Sequence, residues 1–204
     1  MIQFLANRTA KYIARGDDTA DVEILTYGYY LFYQTTVTAA VLLLIALPFG
    51  LFFHVLASLA ASMILRGPAG GAHAKYAIVC RIVSFFQAFI PALLGELFAD
   101  RLFAFWWSLP IVFVLYIFSI ALLVKYAPGE TDVTKIPDLA KRREMKRNAC
   151  IWTTALFIIA MVLHIWLPAI AFVVIVTTTI VCCFVHPWVY WLFGFDPVTR
   201  EVRR

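Results

Sequence analysis

One histidine and one cysteine stand close together in a glycine-rich segment of a chain that is otherwise strongly apolar. His73 precedes Cys80 by seven residues, and Gly70-Gly71 stands just before the histidine. A cysteine attacks carbonyl carbons as its thiolate, and histidine is the usual base that generates it. The pair could therefore supply a nucleophile and a general base. The structural alternative makes Cys80 a small core residue and His73 an ordinary loop residue.

The spacing alone does not bring the two side chains into contact. On a straight helix, residues seven apart share a face but lie about 10 Å apart along the axis, because each residue rises about 1.5 Å. Gly70-Gly71 can adopt dihedral angles that other residues avoid. We therefore expect a helix to begin after His73, with the glycine-rich loop folding the imidazole back over the thiol. Cys80 would then lie about two turns into that helix, where its dipole acts weakly.

Two arginines and several uncharged polar residues are further candidates near this pair. Arg66 and Arg81 bring positive charge, which favours a thiolate and also binds carboxylates, so both roles are open. A third catalytic member is sought among polar residues expected at a similar depth: Gln34, Ser84 and Gln87. Helix-packing hydrogen bonds account best for the remaining histidines, which lie in or beside apolar segments: His54, His164 and His186.

The composition is that of an integral membrane protein. The chain has 204 residues, 63% of them hydrophobic and 14% charged, with mean hydropathy +0.87. A soluble domain is about half apolar and about a quarter charged. We expect one membrane domain over residues 1–204, built from an N-terminal amphipathic segment (1–30), a transmembrane bundle (31–190) and a cytoplasmic tail (191–204).

Charge and cysteine usage narrow the function classes. The net charge is +5, and in a membrane protein an excess of Lys and Arg indicates cytoplasmic loops rather than nucleic-acid binding. No CxxC pair or secreted-type framework is present, so we expect no disulfide scaffold, metal or cofactor. The N-terminus does not have the pattern of a signal peptide. The four cysteines are Cys80, Cys150, Cys182 and Cys183.

Hydropathy and turn signals predict an all-α bundle of about six transmembrane helices. Residues 1–15 predict an amphipathic helix on the membrane surface, and Asp17 or Asp18 would cap the next helix. The uncharged stretch 31–65 is too long for one span, and Pro48-Phe49-Gly50 divides it. A polar loop is expected at 125–148. The predicted spans are 31–47, 51–65, 76–98, 102–124, 149–166 and 169–190.

The distribution of Lys and Arg predicts the orientation of this bundle. With six spans, both termini and the loops 66–75 and 125–148 share one side, which holds every Lys and Arg except Arg101. The positive-inside rule makes that side cytoplasmic. Five spans are disfavoured, because both loops would then lie opposite the basic N-terminus. His73 and Cys80 are therefore expected at the cytoplasmic end.

Three segments resemble the AgrB (accessory gene regulator B) family of bacterial membrane cysteine endopeptidases. The first is Arg66-x-x-x-Gly70-Gly71-x-His73-Ala-x-x-x-x-x-Cys80, which has the family's His–Cys spacing. The second is Lys125-Tyr126-Ala127-Pro128, followed by the basic run Lys141-Arg142-Arg143 and Lys146-Arg147. Tyr27-Gly28 is a weaker third match. Length and span layout agree along the whole chain, although the residues after Pro128 differ from the Asn- and Pro-rich pattern of many members.

The resemblance implies a specific reaction. AgrB-like proteins cut the C-terminal part from a small AgrD-type propeptide and keep the rest as a thioester, which an internal thiol or hydroxyl of the peptide attacks to close a ring. The product leads to a cyclic autoinducing peptide of quorum sensing. Carried onto this chain, the nucleophile is Cys80 and the base His73. The implied supporting or substrate-binding residues are Arg66, Gly70, Gly71, Lys141, Arg142 and Arg143.

The expected partners are the propeptide and the lipid bilayer, with no nucleic acid. The oligomeric state is left open, with a homodimer as one alternative. A different class of function also fits the composition, namely a small membrane transporter or peptide export factor whose glycine-rich loop acts as a gate. The reactivity of Cys80 separates the two hypotheses.

Overall fold

The structure, a computed structural model, describes residues 2–15, 21–71, 77–102, 108–129 and 138–192. Within these ranges the chain is helical, without a strand, and the predicted all-α membrane fold is confirmed. A short 3-10 turn, Leu47–Phe49, separates α2 from α3. The helices are α1 (Ile2–Ile13), α2 (Val22–Ala46), α3 (Phe52–Ala69), α4 (Ala77–Leu102), α5 (Ser108–Tyr126), α6 (Leu139–Leu163), α7 (Pro168–Cys183) and α8 (Pro187–Leu192).

Five of these helices are long and apolar enough to cross a membrane, and α7 is a shorter apolar helix. Each lies on one of the six predicted spans. The predicted break within residues 31–65 is present, because the chain leaves α2 at the 3-10 turn and passes through Gly50 at φ 69°. Glycine tolerates this left-handed conformation, in which a side chain would be strained.

The N-terminal unit, Met1–Pro48, contains α1 and α2. Ala6 and Ala10 of α1 are fully buried, and the Thr9 and Tyr33 hydroxyls hydrogen-bond at 2.9 Å. Asp21 caps α2 by accepting from the backbone N–H groups of Glu23 and Ile24. The expected cap at Asp17 or Asp18 was therefore wrong, because Asp21 is the acid that directly precedes the first helical residue.

The second unit, Phe49–Arg204, is a bundle arranged around α7. This helix packs against α3, α4, α5 and α6. It has 16 residues, so it is about 24 Å long, less than the hydrocarbon thickness of about 30 Å. Because protein surrounds it, packing rather than lipid contact determines its position. The buried residues of α7 include Val173, Ile175 and Val181.

One end of this bundle gathers the segments that carry the sequence motifs, and we call it the site end. The C-termini of α3, α5 and α7 lie there. The Gly129 N–H, just after α5, donates to the Ala69 carbonyl at the end of α3, at 2.9 Å. Gly71 approaches the backbone of Phe184, just after α7. The first of these contacts agrees with the six predicted spans, which place loops 66–75 and 125–148 on one side.

The predicted polar loop 125–148 was wrong over its second half, because α6 begins at Leu139. Asp138 caps the helix by accepting from the Ala140 N–H at 2.8 Å. The charged run that follows consists mainly of Ala, Lys, Arg, Glu and Met, which are strong helix formers. Charge indicated that this stretch is polar, but it did not exclude a helix. The basic residues Lys141, Arg142 and Arg143 therefore lie within the first two turns of α6.

Candidate active site

Cys80 is half-buried near the start of the described part of α4, which begins at Ala77. It is a free cysteine. His73 lies outside the described residues, as do its neighbours 72–76. The expected return of the imidazole over the thiol therefore stays a prediction, and the site is built from the residues around Cys80.

Arg66 belongs to the last turn of α3, and its expected place in a loop 66–75 was wrong. The helix continues to Ala69, where the Gly70 N–H donates to the Arg66 carbonyl at 3.2 Å. Gly67 and Pro68 suggested an earlier end, since both are poor residues for a helix interior. The helix nevertheless includes Pro68 and continues to Ala69, so Arg66 belongs to a helix and not to the loop.

Gln87 of α4 holds the Arg66 side chain. Arg66 Nη2 donates to Gln87 Oε1 at 2.7 Å, and Gln87 Nε2 donates to Ser62 Oγ at 3.0 Å. Gln87 is only 6% exposed. Ser58 Oγ also donates to the backbone carbonyl of Gln87 at 3.3 Å and lies 2.9 Å from Thr177 Oγ1. A buried polar network thus joins α3, α4 and α7, and its members satisfy one another in a water-poor region.

Arg66 of α3 and Cys80 of α4 lie on facing helices, near enough for the guanidinium to interact with a thiolate at Cys80. The ring of Phe184 lies 5.8 Å from Arg66 Cζ, within cation–π range. Among the described residues, no Asp or Glu forms an ion pair with this arginine. A guanidinium has five N–H donors, and Gln87 accepts from one of them. Among the described residues, Arg66 therefore has no counter-charge, and it keeps donors beyond the one bonded to Gln87.

The register of α3 against α4 places the glycine break beside the cysteine. The two helices run antiparallel, and Ser62 of α3 faces Gln87 of α4. Seven residues further along α3 is Ala69, and seven residues back along α4 is Cys80. Because both helices rise about 1.5 Å per residue, these two positions lie at a similar level. The Gly70-Gly71 break, which precedes His73 in the sequence, starts at that level.

Backbone pairing holds the glycine break against the segment that follows α5. Gly70, at φ 66°, forms a parallel bridge with Gly129, and Gly71 has φ 135°. A Cβ on Gly70 would lie 2.5 Å from the Gly129 carbonyl oxygen. A Cβ on Gly129 would overlap the Tyr190 hydroxyl and lie 2.8 Å from the Gly71 nitrogen. Glycine is required here both for left-handed backbone angles and for the close approach.

Residues after α7 complete this end of the bundle. The Tyr126 and His186 rings meet edge to face with centroids 4.8 Å apart. Tyr190 of α8 is 3% exposed beside Gly129. Sequence reasoning missed the roles of Phe184, His186 and Tyr190 here, because their contacts depend on how α7 and α8 pack. The one available signal was the Tyr126-Ala127-Pro128 motif. It contains Tyr126, which contacts His186, and it directly precedes Gly129, which lies beside Tyr190.

Each of the remaining candidates has a setting of its own. Arg81 is exposed, about 100° around α4 from Cys80. Ser84 is half-buried on the Cys80 face, while the amide of Gln87 is bonded to Arg66 and Ser62. Gln34 belongs to the N-terminal unit. His54 Nε2 lies 3.5 Å from Glu96 Oε2, well along α4 from Cys80.

The basic first turns of α6 carry the predicted substrate-binding residues. Lys141 and Arg143 are exposed, and Arg142 is half-buried. In the described part of the chain, no group of three or more His, Cys, Asp or Glu side chains is placed to hold a metal ion.

Fold and site together define a polytopic α-helical membrane protein with a half-buried cysteine near a half-buried arginine and a glycine-rich break held by backbone pairing. The family described as Accessory gene regulator B matches residues 6–187. The chain belongs to this AgrB family.

Proteins of similar sequence agree with this family. The chain is 30% identical over 145 residues to "Putative AgrB-like protein 2" of Clostridium perfringens strain 13, covering 69% of this chain and 66% of the relative. A protein of Clostridium acetobutylicum with the same type of name is 30% identical over 126 residues, 61% of this chain and 56% of the relative. The matches thus span less than two thirds of the relatives' length. No solved structure matches the chain.

Proposed function

We propose that this protein is a membrane cysteine endopeptidase that processes a small AgrD-like propeptide, with Cys80 as nucleophile and His73 as general base. The observation that carries the proposal is the setting of Cys80. It is half-buried, near an arginine of the facing helix that has no carboxylate partner among the described residues, and level with the glycine break leading to His73.

The proposed reaction has two stages. Cys80 Sγ attacks the carbonyl carbon of the scissile peptide bond, and the resulting tetrahedral oxyanion collapses by breaking the C–N bond. His73 takes the thiol proton and gives it to the leaving amine, so the C-terminal fragment departs. The N-terminal fragment remains as a thioester on Cys80. An internal thiol or hydroxyl of the peptide then attacks the thioester, closes a thiolactone or lactone ring and returns the proton to Cys80.

Arg66 would stabilise negative charge at this site. Its free N–H donors suit either the oxyanion of the tetrahedral intermediate or a carboxylate of the bound peptide. Such a charge interaction is strong where water is scarce, and two members of the network around Arg66, Gln87 and Ser58, are buried. Restricted water access would also favour ring closure over hydrolysis of the thioester.

The proposed location is the cytoplasmic side of a bacterial cell membrane. The described site end carries several exposed or half-exposed basic residues, including Lys125 at the end of α5 and the first turns of α6. The positive-inside rule assigns such an end to the cytoplasm. A propeptide lying on the inner leaflet as an amphipathic helix would present its scissile bond there.

Lys141, Arg142 and Arg143 would bind an acidic segment of the propeptide. They lie on consecutive positions of a capped helix, so their charges are spread around its first turn. A rigid helical platform loses less entropy on binding than a flexible loop does. The alternative role is topological, since the same charges also retain this end in the cytoplasm.

Trapping the covalent intermediate tests this proposal. The purified protein in nanodiscs is mixed with a propeptide whose ring-forming Cys or Ser is replaced by Ala, and intact masses are recorded. We expect an adduct on Cys80 whose added mass equals that of the N-terminal fragment acid less one water, and which hydroxylamine releases. His73→Ala should remove most of the adduct, and Cys183→Ala is the matched control that should keep it. A transporter without chemistry forms no such adduct under any of these conditions.

A further inference from the structure

We propose that Gln87 is a positioning residue that fixes the Arg66 guanidinium beside Cys80, so that the positive charge acts on the site. The inference deepens the proposed endopeptidase function and rests on it. Gln87 itself reaches no expected reacting atom. It lies seven residues after Cys80 on the same face of α4, about 10 Å away along the axis.

The amide of Gln87 is fixed at both ends. Its oxygen accepts from Arg66 Nη2 at 2.7 Å, and its nitrogen donates to Ser62 Oγ at 3.0 Å. Both partners are on α3, one turn apart, so the amide spans one turn of the neighbouring helix. At 6% exposure the side chain has little room for other rotamers. These bonds determine the orientation of the Gln87 amide. If the amide rotated by 180°, its NH2 group would face the guanidinium, and both groups are donors.

A neutral acceptor suits an arginine whose charge is used elsewhere. A carboxylate at position 87 would form an ion pair with Arg66 and cancel much of its field at the thiol. The glutamine oxygen orients the guanidinium without cancelling its charge. In the described residues no other acceptor from a side chain is bonded to Arg66, and the Phe184 ring on its other side adds attraction but no counter-charge.

The alternative is that Gln87 merely ties α3 to α4. Ser58 already joins these helices through the Gln87 backbone carbonyl, a contact that does not depend on the side chain at position 87. A purely structural side chain would change stability when replaced, but would leave the charge felt at Cys80 unaltered. The two roles therefore predict different outcomes for a measurement of local charge.

The test measures that charge by alkylating Cys80 with two reagents of similar size. The protein carries Cys80 as its one thiol, with Cys150, Cys182 and Cys183 replaced by Ala, and is held in nanodiscs. The reagents are anionic iodoacetate and neutral iodoacetamide. Both react with the thiolate, so the ratio of their rates cancels the thiolate fraction and reports the local field. Positive charge near Cys80 raises this ratio.

We expect Arg66→Met to lower the iodoacetate-to-iodoacetamide ratio roughly three- to tenfold, the size of effect that one charge has at several ångströms in a partly buried site. Gln87→Met keeps the size and neutrality of the side chain but removes the acceptor, and should lower the ratio by at least half as much on a logarithmic scale. Adding Gln87→Met to Arg66→Met should change nothing further, since the two residues act as one unit. A higher salt concentration should reduce the differences in this ratio between the variants.

Two further variants keep the outcome decisive. Tyr116→Phe removes a comparable interhelical contact, the 3.2 Å hydrogen bond to Thr154 between α5 and α6, and should leave the ratio unchanged. Ser62→Ala frees the amide nitrogen of Gln87 and should lower the ratio partly. If Gln87→Met does not fold, the ratio measured for Ser62→Ala tests the proposal in its place.

Three results would overturn the proposal. The first is a wild-type ratio in folded Gln87→Met, or in Ser62→Ala where Gln87→Met does not fold. The second is an equal effect of Gln87→Met in the presence and absence of Arg66. The third is no effect of Arg66→Met itself. Alkylation needs no propeptide, so this test stands even if the wild-type protein cleaves nothing. Absence of cleavage with an intact ratio pattern would refute the endopeptidase and leave the Gln87–Arg66 relationship in place.

Discussion

Gly70 and Gly129 form a backbone bridge that joins the two motif segments of this chain, although a long stretch of sequence separates them. Gly70 ends α3 just before the His73 segment, and Gly129 follows the Tyr126-Ala127-Pro128 motif after α5. The Gly129 N–H also donates to the Ala69 carbonyl. The two motifs therefore belong to one structural unit at the site end, which gives the second motif a role in shaping the approach to Cys80.

This bridge predicts that Gly129→Ala reduces both stability and propeptide cleavage. The new Cβ would meet the Tyr190 hydroxyl and the Gly71 nitrogen. Overpacking of this kind costs about 1–3 kcal/mol, measured as a loss of thermal stability in detergent. Adding Tyr190→Phe removes the hydroxyl and should restore part of the loss. Gly28→Ala is the matched control, because a Cβ there meets nothing within 4 Å. Equal behaviour of Gly129→Ala and Gly28→Ala would show that the bridge is not close-packed.

The sequence was sufficient for the fold class and the approximate spans. Long apolar stretches indicate membrane helices, and the Pro48-Phe49-Gly50 segment indicates a break between two of them. Helix ends were less predictable. Gly67 and Pro68 suggested that α3 ends before Arg66, and the charges of Lys141 to Arg147 suggested a loop where Asp138 starts a helix. Local composition indicates whether a segment is polar or contains residues that disfavour a helix. Capping and packing determine the residue at which a helix begins or ends.

The site was predictable only where its residues form a local pattern. Arg66, the glycine pair and Cys80 lie within one short segment and could be recognised together. The bond from Arg66 to Gln87 depends on the register of α3 against α4, so the sequence suggested Gln87 only as a third catalytic member. Tyr190 and Phe184 reach the site through the packing of α7 and α8, which no local pattern specifies.

Orientation in the membrane can be tested with single-cysteine reporters in a cysteine-free background. Lys141→Cys, in the first turn of α6, should be labelled by an impermeant maleimide only from the cytoplasm. Phe49→Cys, in the exposed turn between α2 and α3, should be labelled only from outside the cell. The expectation follows from the excess of Lys and Arg at the site end. Outside labelling of Lys141→Cys would place Cys80 on the wrong face for a cytoplasmic propeptide.

The basic first turn of α6 predicts salt-dependent capture of the propeptide. Lys141→Glu with Arg143→Glu reverses two exposed charges and should weaken binding severalfold at low salt, with a smaller effect at high salt because exposed charges are screened. Binding is measured with a fluorescent propeptide and Cys80→Ala protein in nanodiscs. Arg8→Glu with Lys11→Glu is the control, since it reverses two exposed charges on α1. If both pairs weaken binding equally, attraction to the whole basic surface explains it and the α6 platform is not a specific site.

The role of Cys80 as nucleophile is the central claim, and release of the C-terminal propeptide fragment by purified protein tests it most directly. Cys80→Ala should abolish release, and Cys80→Ser should be nearly as inactive, because a serine hydroxyl is far less acidic than a thiol. Cys150→Ala and Cys183→Ala should cleave at close to the wild-type rate. Fragment release by folded Cys80→Ala protein at a rate similar to wild type would contradict the account.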